Sequence, residues 1–247
     1  MRSRMILSAA AVSLIATLAP PVYAAVDDGV RKLRFDVFLD DRPIGFQRFV
    51  LTPDAGGTRI ETQAKFEVKF LRITAFAYDH QNTELWRGGC LRAIEARTDS
   101  NGKKSTVNGQ VQGTAFVLAT QQGGRTLGEC VASFAYWDKD VLLRRQTLLN
   151  SQTGEYVPVR IAPLGPGTKR IDGRDLAVER YAMKGQGIDI TLAYVAGTDE
   201  WVGLDSKLDG GRTLRYRRSV EELAAGSAAS MRSGSTSKII LESERSS

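Results

Sequence analysis

Residues 60–70 read Ile60-Glu61-Thr62-Gln63-Ala64-Lys65-Phe66-Glu67-Val68-Lys69-Phe70, and their alternation decides the fold class. Even positions are mostly apolar and odd positions are charged or amide-bearing. Successive side chains on a strand point to opposite faces, so this stretch presents one packed face and one wet face. Leu33, Phe35, Val37 and Leu39 repeat the pattern, as do Ile188, Ile190, Leu192 and Tyr194. Weaker alternation runs through residues 44–51, 72–86, 91–98, 104–111, 115–119, 156–161, 176–183, 201–207 and 212–217.

Turn residues separate these runs. Asn101-Gly102 is the clearest, because both residues tolerate the positive φ of a tight hairpin. Residues 54–57, Arg87-Gly88-Gly89, Asp172-Gly173 and Asp209-Gly210-Gly211 read the same way. Strands joined by such short links pair antiparallel. The spacing predicts an all-β protein: a single strongly curved antiparallel sheet, or an open or half barrel, of about ten strands.

One stretch breaks the rhythm. Residues 127–150 lack alternation. Asp138 is a suitable N-cap, and residues 139–149 contain neither Gly nor Pro, which predicts one short helix. Leu164-Gly165-Pro166-Gly167 reads as a loop and as the best internal boundary.

The ends differ from the middle. Arg2 and Arg4 precede an apolar run over residues 5–19, closed by Pro20 and Pro21, and Val22-Tyr23-Ala24 offers a cleavage site. This predicts a signal peptide over residues 1–24, cut after Ala24, and a periplasmic or secreted product. The run is too short to span a bilayer, and no other stretch reaches that length, so no transmembrane segment is expected. Residues 25–218 form the expected β domain. Residues 219–247 begin with a capping-box pattern, Ser219 to Glu222, and continue as a Ser-rich tail expected to be disordered.

Loss of Arg2 and Arg4 would lower the formal net charge from +6 to +4. So small a surplus is no footprint for nucleic acid, and none is expected as a partner. Cys90 and Cys130 are the only cysteines. In an oxidising compartment they are expected to form a disulfide.

No hydrolase elbow, phosphate loop, dinucleotide fingerprint or metal-ligand spacing occurs, so no cofactor, metal or catalytic residue is assigned. His80, the one histidine, sits in what reads as an exposed strand end. Asp138 and Asp140 follow Trp137 and would be the acids of a glycan hydrolase; the favoured reading is N-cap and first-turn acid of the helix, which explains both. Trp86, Phe134, Tyr136 and Trp137 lie close to the two cysteines and are candidate contacts for an acyl chain or sugar, or simply core. Arg215 and Arg217 share one face of the last strand, as a phosphate contact or as protection of a sheet edge.

Several stretches resemble a family of exported Gram-negative bacterial proteins catalogued as domains of unknown function. They are residues 35–45, Trp86 through Cys90 to Lys103, Cys130 through Trp137, residues 148–155 and residues 211–216. The resemblance covers about residues 33–217 and implies no activity. The pattern is also similar in architecture to envelope β proteins of the lipoprotein-carrier type, curved sheets around an apolar cavity. The reading that follows is a non-enzymatic envelope protein holding a hydrophobic or amphipathic component, such as a lipid, in the hollow of the sheet. A glycan-acting hydrolase, and an assembly factor without small ligand, stand as alternatives. Oligomeric state is not legible.

Overall fold

The alternating segments assemble into one antiparallel sheet. The computed structural model describes residues 29–219 except 71, 72 and 172. The expected signal peptide and Ser-rich tail, and Asp172 of one expected turn, lie outside the described residues.

Eight strands run in sequence as a meander: β1 (Arg31–Leu39), β2 (Arg42–Asp54), β3 (Gly57–Phe70), β4 (Ile73–Arg87), β5 (Cys90–Ser100), β6 (Lys103–Gln112), β7 (Ala115–Thr120) and β8 (Gly123–Leu127). A crossover containing α1 (Lys139–Leu143) follows. A second meander then returns: β9 (Thr147–Leu149), β10 (Tyr156–Ile171), β11 (Arg174–Gly185), β12 (Ile188–Val195), β13 (Trp201–Lys207) and β14 (Thr213–Arg218). β14 pairs with β1, so the order is β8-β7-β6-β5-β4-β3-β2-β1-β14-β13-β12-β11-β10-β9. The ladder does not close, and β8 and β9 remain edges. Register shifts at Val37/Phe38, Val68/Lys69, Leu85/Trp86 and Ala193/Tyr194 bend the strands around an interior.

Fourteen strands replace the expected ten or so. The two edges carry little signal: β8 is Gly-Gly-Arg-Thr-Leu and mostly exposed, and β9 is three residues long. β9 also shortens the expected helix. Leu148 and Leu149 are fully buried as strand residues, and α1 ends at Leu143. Its N-cap is as expected, since Asp138 accepts a hydrogen bond from Val141 N at 2.9 Å. Leu142 is its fully buried anchor, a burial of about 2 kcal/mol.

Leu164-Gly165-Pro166-Gly167 is not a boundary. It lies inside β10, at a register shift between Pro163 and Gly165. Pro163 and Pro166 are tolerated because β9 pairs only with residues 156–158, which leaves one side of β10 without a ladder. Beyond the shift, the β10–β11 hairpin lies over the outer face of β13. There Lys169 Nζ sits 3.4 Å from Asp205 Oδ2, and Ile171 and Val178 pack with Ala193 and Val202. A Cβ on Gly203 would approach Lys169 Cε to 2.5 Å and displace the end of that side chain from Asp205.

The crossover fixes the interior. Leu91 N donates to Val131 O and Leu149 N to Ala132 O, both at 2.8 Å, so residues 131–132 bridge β5 and β9. Tyr194 OH donates to Tyr136 O at 2.9 Å, and the Tyr136 and Trp201 rings lie 5.2 Å apart. The Cys90–Cys130 disulfide ties the start of the crossover to the β4–β5 turn. Arg145 reinforces the same point by donating from Nη2 to Gly89 O at 2.7 Å.

The disulfide closes a loop of 40 residues in sequence, a constraint worth roughly 4 kcal/mol in the unfolded-chain picture. Cys90→Ser is expected to lower the melting temperature by several degrees without reductant and to change little with reductant. Differential scanning calorimetry under both conditions checks it; equal stability of variant and wild type without reductant would refute the role.

Candidate functional site

The inward residues of β1–β4 and β12–β14 enclose a hollow of about 670 Å³, within the size range of ligand pockets. The crossover forms its floor through Ser133, Phe134, Tyr136 and Trp137. Its mouth is lined by Leu39, Ile44, Phe76, Leu208 and Arg212, from β1, β2, β4 and the β13–β14 link. Phe76 and Leu208 are 36% and 41% exposed, two of three large apolar side chains so placed among the described residues.

The two walls differ in chemistry. The wall on β12–β14 is mainly aliphatic, with Ile188, Ile190, Leu204 and Leu214 beside the hydroxyls of Ser206 and Tyr216. The wall on β2–β4 sets a row of polar side chains, Gln47, Thr62, His80, Asn82 and Glu84, among apolar ones such as Phe49, Ala64, Phe66 and Tyr78. On β4 this row is a consequence of period two, because His80, Asn82 and Glu84 all point inward.

Glu84 is the most deeply placed polar group. Its carboxyl accepts from Asn82 Nδ2 at 2.9 Å, Trp86 Nε1 at 2.7 Å and Ser133 Oγ at 3.0 Å. Burial raises its pKa, and the three donors oppose the rise. The Ser133 bond joins the polar wall to the floor. His80 is also buried, contrary to the exposed position its neighbours suggested. Its Nδ1 lies 2.9 Å from Thr98 Oγ1, and Nε2 lies 3.4 Å from Ser151 Oγ. Burial lowers its pKa to about 4, against a small opposing effect of Asp79, so the ring is neutral at physiological pH.

That geometry is poor for nucleophilic catalysis. A base whose conjugate acid has a pKa of about 4 accepts a serine proton weakly, and its other nitrogen faces a hydroxyl where a triad has a carboxylate. The acids of the glycan alternative are not gathered either. Asp138 caps α1, Asp140 is exposed on it, and neither lines the hollow. Among the described residues no group of three His, Cys, Asp or Glu side chains is placed to hold a metal ion. No helix among them is long and apolar enough to cross a membrane.

The candidate contacts separate. Phe134, Tyr136 and Trp137 line the hollow. Trp86 does not; it packs edge-on against Trp137 at 5.3 Å and donates to Glu84. Arg215 and Arg217 lie on the outer face of β14, in a separate cleft beneath the β10–β11 hairpin. Arg215 donates to Asp40 O and Asp41 Oδ1, each at 2.9 Å, and the Arg217 guanidinium lies over Phe38 at 4.5 Å. Neither protects an edge, since β14 is paired on both sides. The sequence reading missed Gln47, Asn82 and Glu84. The parity of β2 and β4 could have placed them inward, beside Phe49 and Trp86.

A family described as a domain of unknown function, DUF6134, matches residues 35–219. The crystal structure of a beta-barrel-like protein of domain of unknown function DUF1849 from Brucella abortus is similar, with a TM-score of 0.54 at 12% identity. The match covers 76% of this chain and 97% of that one. At that identity the similarity concerns the fold. No curated protein matches the chain.

The buried neutral histidine has a pH signature. An unfolded histidine protonates near pH 6.5, whereas His80 in the fold resists protonation until about pH 4. The unfolded state therefore binds the extra proton between those values, and stability falls as pH drops through that window. A shift of this size amounts to roughly 3 kcal/mol. Glu84 acts oppositely, because protonation relieves its burial. His80→Gln should therefore be less acid-sensitive than wild type from pH 6.5 to 4, measured by urea denaturation. Parallel stability curves for the two proteins would show that His80 is not held neutral.

Proposed function

The chain belongs to the DUF6134 family, and we propose that it is an exported cell-envelope protein that binds a hydrophobic or amphipathic component in the hollow of its sheet, without catalysing a reaction. The observation that carries this reading is the hollow itself. It measures about 670 Å³, is floored by aromatic side chains of the crossover and opens through a rim that carries the exposed Phe76 and Leu208. A core built only for stability is packed to the density of an organic crystal and leaves few voids larger than a water molecule. A mainly aliphatic wall facing a wall that carries a row of polar side chains suits a molecule with both kinds of surface.

Export is supported by the leader-like residues 1–24 and by a disulfide between the only two cysteines. A reducing compartment would leave that staple open. The non-catalytic part of the reading is supported by the weak base at His80 and by the dispersal of Asp138 and Asp140 away from the hollow.

Purified protein from the periplasmic or culture fraction should release lipid on organic extraction, detected by mass spectrometry. Ser206 lines the hollow from β13. Ser206→Trp fills that space and should abolish both co-purified lipid and uptake of the neutral probe N-phenyl-1-naphthylamine, with the circular dichroism spectrum unchanged. Wild-type protein that neither carries lipid nor takes up the probe would overturn the reading. A stable protein partner recovered with such empty protein would favour the assembly-factor alternative.

A further inference from the structure

The distribution of charge and hydrogen-bonding groups within the hollow says more about the ligand than its size does. Arg212 is the only Lys or Arg among the described lining residues. It stands at the mouth, where its Nε already pairs with Asp40 Oδ2 at 3.1 Å. Below the mouth, the one ionisable acid is Glu84 at the floor, already engaged by three donors. An anionic head drawn inward would be desolvated with no counter-charge and would face that carboxyl, a combination that binding energy rarely offsets.

The middle of the polar wall is different. Gln47 opposes Ala64, and Thr62 opposes Phe49, in the β2–β3 register. Gln47 and Thr62 are therefore diagonal neighbours on the inward face. Both line the hollow, and neither the Gln47 amide nor the Thr62 hydroxyl has a hydrogen-bond partner among the described residues. Together they offer donors and acceptors but no charge. The exposed apolar side chains, by contrast, are at the rim: Phe76 and Leu208. Uncharged hydrogen-bonding capacity thus lies inside the hollow, while Phe76 and Leu208 carry its apolar surface out to the opening, an arrangement that suits a head placed inside and a chain leading outward.

We infer that the hollow takes a single-chain amphiphile head-first, with an uncharged hydroxyl- or amide-bearing head on Gln47 and Thr62 and the chain running along the β12–β14 wall toward Phe76 and Leu208. This rests on the carrier reading above and names its ligand class. Monoacylglycerols and fatty amides share that chemistry; free fatty acids and phospholipids do not.

The experiment uses a chain-matched series at pH 8, competing with N-phenyl-1-naphthylamine: monolauroylglycerol, lauramide, dodecanoate and dodecyltrimethylammonium. The two neutral compounds should displace the probe at concentrations at least about tenfold lower than the two ions. Gln47→Leu should weaken the neutral compounds on the order of tenfold relative to the probe, the cost of one lost hydrogen bond. Gln47→Glu should lose the neutral preference and gain affinity for dodecyltrimethylammonium. The Gln47 side chain makes no hydrogen bond among the described residues, so both variants are expected to fold, with melting temperature as the control. If the probe does not bind wild type at all, the carrier reading fails and this inference with it. If the probe binds but dodecanoate competes as well as monolauroylglycerol, or Gln47→Leu leaves the ranking unchanged, only the head-first assignment is overturned.

Discussion

The crossover over residues 128–146 is the constraint on which the rest of the structure depends. β8 and β9 are consecutive in sequence, yet they lie at opposite ends of the sheet order. The chain must travel from one edge to the other before its second meander can begin. It does so through the interior, bonding to Leu91 on one side and Leu149 on the other. A curved sheet with unpaired edges would otherwise leave an apolar trough open at both ends. The crossover supplies hydrogen bonds, aromatic surface and a covalent tie at Cys130, and turns the trough into a closed-bottomed cup.

The cup inherits its polarity from strand parity and from that crossover together. Period two puts His80, Asn82 and Glu84 on the same face as Trp86. In an isolated strand these would read as polar interruptions of a core. Inside the fold, Ser133 and Trp86 satisfy Glu84, while Thr98 and Ser151 lie beside His80. Buried polar groups are tolerable when they find partners, and here the crossover brings one of them. The unsatisfied capacity is then left in the same rows, at Gln47, Thr62 and Asn82 Oδ1, which line the hollow.

Strand segments such as 33–39, 60–70 and 188–194 were legible because one face is packed and the other is wet, so burial is written as alternation. The Asn101-Gly102 hairpin was legible because φ is 54° and 86° at those residues, a conformation few other pairs adopt. The β8 and β9 edges were not, because short, glycine-rich or doubly buried strands carry no period. The same holds for the 164–167 stretch: Gly and Pro signal a loop in isolation, but an unladdered strand side accepts them. At the site, the aromatic residues Phe134 to Trp137 stood out as large apolar groups, and three of them reach the hollow. Arg215 and Arg217 stood out as charge and belong to the other face of the sheet. Gln47 and Asn82 carried no signal of their own, since an amide looks the same whether it points at water or into a cavity.

By itself the sequence determined the all-β class, the antiparallel pairing, the disulfide partners and the N-cap at Asp138. Each of these depends on residues close in sequence, or on there being only two cysteines. Only the tertiary structure decided that β14 pairs with β1, that the crossover floors the hollow, and that a row of polar side chains on β2–β4 faces a mainly aliphatic wall. Those features depend on which of many compatible faces meet, and that choice is made by burying the apolar surface of fourteen strands at once.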